Sequence, residues 1–145
     1  MRKLSLIISA LVMLILQSCA TTQSLPDDVR TKIYNADYDQ VFKTVVQTLS
    51  DGGYIIQDTD SEMGIINTDY TNNSNWEAFW SGDERTKVNA LLKSVNNGTR
   101  VRLTISVQNK TALSGWNSAN MSESKAKEYY QKMFEKIGEQ LSNPN

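Results

Sequence analysis

The chain has 145 residues, 15 basic and 16 acidic, with no histidine and one cysteine. Without histidine it cannot build Ser-His or Cys-His nucleophilic machinery or a His-ligated metal site, and a lone cysteine closes no intramolecular disulfide. A net charge of −1 leaves no global footprint for nucleic acid, and the length suits one domain with its own core.

Arg2 and Lys3 precede an uncharged run from Leu4 to Leu16. That run is about 13 residues, roughly 20 Å as a helix, too short for a hydrocarbon core of roughly 30 Å. A charged start, a short apolar core and small residues before the cut make residues 1–18 a secretory signal peptide. Leu16-Gln17-Ser18-Cys19 resembles the lipobox of bacterial lipoproteins, Gln17 being a less usual residue at its place. The resemblance implies cleavage before Cys19, a diacylglyceryl group on its thiol and a further acyl chain on the new amine; several chains anchor a protein stably where one does not. The plainer alternative is an ordinary signal peptide with an incidental cysteine. Ala20 stands where an Asp would imply retention in the inner membrane, so the implied place is the outer membrane, lipid-anchored, on the periplasmic side. Residues 19–28, rich in Thr, Gln, Ser and Asp, read as a flexible tether, and residues 29–145 as a single domain, expected to be monomeric.

Val29, Thr31 and Ile33 alternate with Arg30, Lys32 and Tyr34, a strand pattern. Asp37 and Gln40 form a capping-box pair, and Val41, Phe42, Val45, Val46 and Leu49 make one apolar stripe before Gly52-Gly53, so a helix is expected over 38–51. Tyr54–Gln57 and Gly64–Tyr70 read as strands flanking an acidic loop. Asp58, Asp60 and Glu62 alternate there as in a calcium loop, but Met63 stands where the sharp turn needs Gly, and a solvated turn is the plainer reading. An irregular stretch follows, holding Trp76, Phe79 and Trp80.

Thr86–Val95 and Arg100–Asn109 form a hairpin about Asn97-Gly98, a preferred two-residue turn. That register pairs Leu92 with Leu103, Ala90 with Ile105 and Val88 with Val107 on one face. The other face carries Lys87, Lys93, Arg100 and Arg102, with Lys93 opposite Arg102. A loop with Gly115 and Trp116 leads to a second helix, capped by Asn120 with Glu123 and running to about Leu141, whose inner stripe is Ala126, Tyr130, Met133, Ile137 and Leu141, with Tyr129 and Phe134 beside it. The order β-α-β-β-β-β-α implies an α+β fold: a single antiparallel sheet of about five strands with two helices on one face.

The stretch "YNADYDQVFKTVVQTLSDGGYIIQDTDSEMGIINTDY", with its D-x-V-F-x-x-V helix, G-Y-x-I and G-x-I, resembles the domains of envelope lipoproteins related to component C of the outer-membrane β-barrel assembly machine. The likeness covers about residues 30–71 and implies a helix-grip-like α/β fold.

With no enzymatic motif that meets the usual geometric roles, two binding functions compete. In one, the domain is a non-enzymatic interaction or structural accessory module of the cell envelope, meeting another envelope protein through Trp76, Phe79 and Trp116, since aromatics dominate binding hot spots; the same rings could instead cover the open end of the core. In the other, helices and sheet enclose a small-molecule or lipid pocket. A filled groove favours the first and a large apolar cavity the second. No cofactor or metal is expected beyond the covalent lipid on Cys19. The basic face is a further candidate, for phosphate-rich lipid or an acidic partner, unless neighbouring carboxylates neutralise it.

Cys19→Ala should abolish lipid attachment. Metabolic labelling with a fatty acid should mark the parent chain only, and equal label on the variant would refute the anchor.

Overall fold

The computed structural model describes residues 25–72, 83–112 and 115–143. Its elements are α1 (Asp27–Arg30), β1 (Thr31–Tyr34), α2 (Tyr38–Asp51), β2 (Ile56–Asp60), β3 (Ile65–Thr68), β4 (Glu84–Val95), β5 (Gly98–Thr111), β6 (Gly115–Ala119) and α3 (Glu123–Ser142). The fold is α+β with one antiparallel sheet in the order β1-β5-β4-β3-β2, β6 pairing β5. Among the described residues it has six strands and three helices rather than about five and two.

The two additions have separate causes. Pro26 precedes a single turn, α1, in which Asp28 and Asp27 stand at the helix start, where carboxylates are favoured; the strand expected from Val29 therefore starts at Thr31. Strand β6 has no apolar alternation to announce it. It exists because β5 outruns β1: Thr99–Arg102 pair with β1, and Val107–Thr111 pair with β6 along the same edge.

Helix α2 covers the expected span, but its N-cap Asp37 makes no side-chain cap. Helix α3 is capped by Ser122, which accepts from the Lys125 N–H, and not by Asn120. Tyr38 of α2 donates its hydroxyl to the Ser61 carbonyl at 2.7 Å, tying the helix start to the β2–β3 turn. The acidic segment is not a loop: Asp58 and Asp60 lie in β2, and the Asp60 carboxylate accepts from the Glu62 and Met63 N–H groups to shape the turn. Gly64 then lets that turn touch β4; a Cβ there would lie 2.1 Å from the Leu92 carbonyl oxygen, and its φ is +74°.

The β4–β5 hairpin keeps the expected faces with a register moved by two. Val95 pairs Gly98, so Leu92 opposes Val101, Ala90 opposes Leu103 and Val88 opposes Ile105. The turn residues are Asn96 and Asn97. A turn on Asn97-Gly98 needs positive φ at both, and no described non-glycine residue has it. Gly98 takes the left-handed conformation alone, at φ +125°, where a Cβ would meet the Tyr34 carbonyl oxygen at 2.1 Å. A shift by two preserves the facing of every side chain, which is why the face assignment holds.

Both long helices pack on one face of the sheet. Val41, Val45 and Leu49 of α2 and Tyr129, Met133 and Ile137 of α3 are fully buried against Ile66, Val88, Val101 and Leu103. Strand β1 inverts its sequence pattern: Tyr34 turns inward and donates its hydroxyl to the Phe134 carbonyl at 2.7 Å, while Ile33 is 55% exposed. Burial pushes the Tyr34 and Tyr130 hydroxyls above the ordinary tyrosine range. The Tyr130 hydroxyl accepts the Ile105 N–H at 3.2 Å, in the stretch of β5 between its β1 and β6 partners. Tyr54 bonds Tyr129 and Thr86 hydroxyl to hydroxyl.

Leu103→Ala removes a fully buried side chain from this layer and should cost roughly 2–5 kcal/mol, read from chemical denaturation of the parent and variant. A loss near zero would contradict the layer assignment.

Candidate functional site

Pleating sends alternate side chains of β4 and β5 away from the helices. On that outer face stand Arg85, Lys87, Leu91 and Lys93 of β4 and Arg100, Arg102, Gln108 and Lys110 of β5. At one corner α1 reaches this side, where Asp27 pairs with Arg102 at 3.1 Å and with Arg30 at 2.8 Å. The face is therefore a surface whose chemistry the core does not dictate, and it divides into two ends.

At the first end Arg85 lies between two aromatic rings. Its guanidinium carbon is 4.5 Å from the centroid of Trp116 and 4.8 Å from that of Tyr70, and its Nε donates to Gln108 Oε1 at 2.9 Å. Lys87 adds its ammonium 5.0 Å from the Tyr70 ring. Three elements meet to make this: β4 supplies the cations, β6 brings Trp116 opposite Lys110, and the Thr71–Thr86 bridge sets Tyr70 beside β4. Between β3 and that bridge the strands are held by side chains, the Thr68 hydroxyl accepting from Val88 N–H and Asn89 Oδ1 from Thr68 N–H. A guanidinium held against two rings loses little entropy when it bonds a partner and offers a planar, charged and apolar surface together.

At the second end the rows across the sheet read Ile33, Arg100, Lys93 and then Thr31, Arg102, Leu91, Ile65. Lys93 thus faces Arg100 rather than Arg102. Leu91 and Ile33 are 50% and 55% exposed.

The structure so places Lys87, Lys93, Arg100 and Arg102 on one face, as their alternation implies, but splits them between the two ends. It puts Trp116 with Arg85 and Tyr70, two residues the sequence reading did not single out. Arg85 was signalled by its spacing of two from Lys87; Tyr70 was not, because its place depends on the irregular path after Thr68. Trp76, Phe79 and Trp80 lie outside the described residues, in the segment joining Asn72 to Asp83, which starts and ends beside this first end. Cys19 also lies outside them.

The space between helices and sheet is filled by the fully buried Tyr129, Leu49, Met133 and Ile137. An open polar trough of about 1120 Å³ lies elsewhere, lined by Lys32, Asn35, Asp37, Gln40, Asn97 and Ser142 among others. Among the described residues no three His, Cys, Asp or Glu side chains gather as a metal site, and no helix is long and apolar enough to cross a membrane.

A family model described as "Outer membrane protein assembly factor BamC-like C-terminal domain" matches residues 27–137. The match starts with α1 and ends inside α3, so all six strands fall within it. No curated protein matches the chain.

The Arg85–Trp116 contact is a surface contact. A double-mutant cycle with Arg85→Ala and Trp116→Ala should give a coupling of roughly 0.5–1 kcal/mol, and Trp116→Ala alone should cost far less than the roughly 3–5 kcal/mol of a core tryptophan. Denaturant midpoints decide both; a core-sized loss would make Trp116 a structural residue.

Proposed function

Because the chain belongs to the BamC-like C-terminal domain family, we propose that it is a non-enzymatic accessory module of outer-membrane protein assembly. In this reading Cys19 carries lipid, the domain stands on the periplasmic side of the outer membrane, and it acts by binding another envelope protein. The observation that carries the reading is the Tyr70–Arg85–Trp116 cluster on the sheet face turned from the helices. Tyr, Trp and Arg are the residue types that anchor protein interfaces. Their clustering has no counterpart on the exposed helix faces, where Lys127–Glu123, Lys132–Glu128 and Lys136–Glu139 make solvated pairs. Such pairs contribute little to binding or stability.

The filled helix–sheet interior supports a surface function over an enclosed ligand pocket.

The test is binding of the full chain to purified outer-membrane β-barrel assembly machinery. Arg85→Ala and Trp116→Ala should each weaken binding by roughly tenfold or more, while Lys136→Ala on the helix layer should leave it within a factor of about two. No binding, or equal binding by all three variants, would overturn the reading.

A further inference from the structure

The second end of the outer face lies where the chain enters the fold. Leu25 packs against the core, and Asp27 bonds Arg102 of that face. Five residues separate Cys19 from Leu25, a span of at most about 22 Å whatever its path. If Cys19 is lipidated, as proposed above, the Lys93–Arg100–Arg102 end cannot be carried far from the bilayer surface. The Arg85–Trp116 end is eight residues further along β4, roughly 25 Å away.

The chemistry of the near end fits that surface. Lys93 and Arg100 face each other across the hairpin and make no ion pair among the described residues, while Arg102 is met by Asp27 alone. Like charges directly opposite are unfavourable for pairing, so this arrangement gains nothing from folding. Beside them Leu91 and Ile33 hold half or more of their surface in water. The acidic groups near the cations are Asp27 and Asp28 of α1 and Glu62 of the β2–β3 turn, and Asp60 lies across the sheet in the row of Leu91. Glu62 lines a depression with Leu91 and Lys93 without an ion pair to Lys93 among the described residues. The Asp27 carboxylate is shared between Arg30 and Arg102, and the Asp60 carboxylate is spent on its turn. Cations interleaved with exposed aliphatic side chains suit a lipid interface: the cations meet phosphate, and the aliphatic groups enter the headgroup boundary.

We infer that the sheet face around Lys93, Arg100, Arg102, Leu91 and Ile33 docks on anionic phospholipid headgroups next to the lipid anchor. The domain then stands on this end, with its helices turned from the bilayer and its Arg85–Trp116 end directed outward.

The inference rests on the anchor, so the experiment reads the two separately. The full lipidated chain, carrying Leu91→Cys or, as a helix-layer control, Gln47→Cys, is labelled at the new thiol with a polarity-sensitive dye and reconstituted into vesicles. Flotation reports anchoring. On floated vesicles containing phosphatidylglycerol, the dye at position 91 should shift to the blue and escape aqueous iodide quenching, while the dye at 47 stays quenched. Adding Lys93→Glu or Arg100→Glu should lower the docked-to-undocked ratio by at least roughly fivefold for each charge reversed, and raising the salt should act in the same direction. A chain that fails to float refutes the anchor. Floated chains whose dye at 91 is quenched like that at 47, or is equally protected on purely zwitterionic vesicles or in detergent alone, overturn the docking; protection in detergent would mean a protein surface covers this face instead.

Discussion

The β4–β5 hairpin is the constraint on which the rest depends. It pairs without interruption from Glu84–Asn109 to Val95–Gly98; β1, β6 and β3 attach to its edges, and β2 is added through β3. Its length decides the topology: β5 outruns β1 and leaves room for β6 on the same edge, and β4 outruns β3 and leaves Thr86 to bridge Thr71. Its pleat decides the chemistry. One row of side chains makes the core beneath α2 and α3; the other carries the cations.

Two glycines hold this geometry in place by what they lack. Gly64 and Gly98 each bring a foreign backbone carbonyl to a point that any Cβ would occupy. One seats the β2–β3 turn on β4, the other seats the end of β1 on the hairpin turn. Inside, tyrosine hydroxyls close the polar accounts: Tyr130 takes the Ile105 N–H, Tyr34 gives to the Phe134 carbonyl, and Tyr54 meets Tyr129 and Thr86. A buried backbone group without a partner costs about 1–3 kcal/mol, so these rings cannot swing aside to open a ligand chamber without leaving such groups behind.

Much of this was legible in the sequence because periodicity records facing. The stripes Val41, Val45, Leu49 and Tyr130, Met133, Ile137, and the inward row of the hairpin, are buried as their spacing implies. Features set by pairing across the sheet were not. Strand β6 is specified by the free edge of β5 and not by its own residues, and the hairpin turn moved because Asn97 avoids positive φ and Gly98 must meet Tyr34. Ile33 and Tyr34 exchanged faces because a tyrosine hydroxyl found a carbonyl inside, which outweighs hydropathy order in a four-residue strand. The site was half legible for the same reason: Lys87, Lys93, Arg100 and Arg102 share a face by parity, whereas the Tyr70–Arg85–Trp116 stack joins three separate parts of the chain.

The two ends of the outer face differ in how their cations are held, and that difference is physical information. Arg85 is fixed by two rings and the Gln108 amide oxygen, so its geometry is set before any partner arrives, and pre-set geometry favours one shape of contact. Lys93 and Arg100 have no such holders among the described residues and stand opposite one another. Mutually repelling cations without fixed holders suit a fluid array of phosphates that can rearrange around them, and their repulsion is relieved when anions come between them. A rigid cation end and a loose one on a single sheet face are what a domain would need if it rested on lipid at one end and recognised a shaped protein surface at the other.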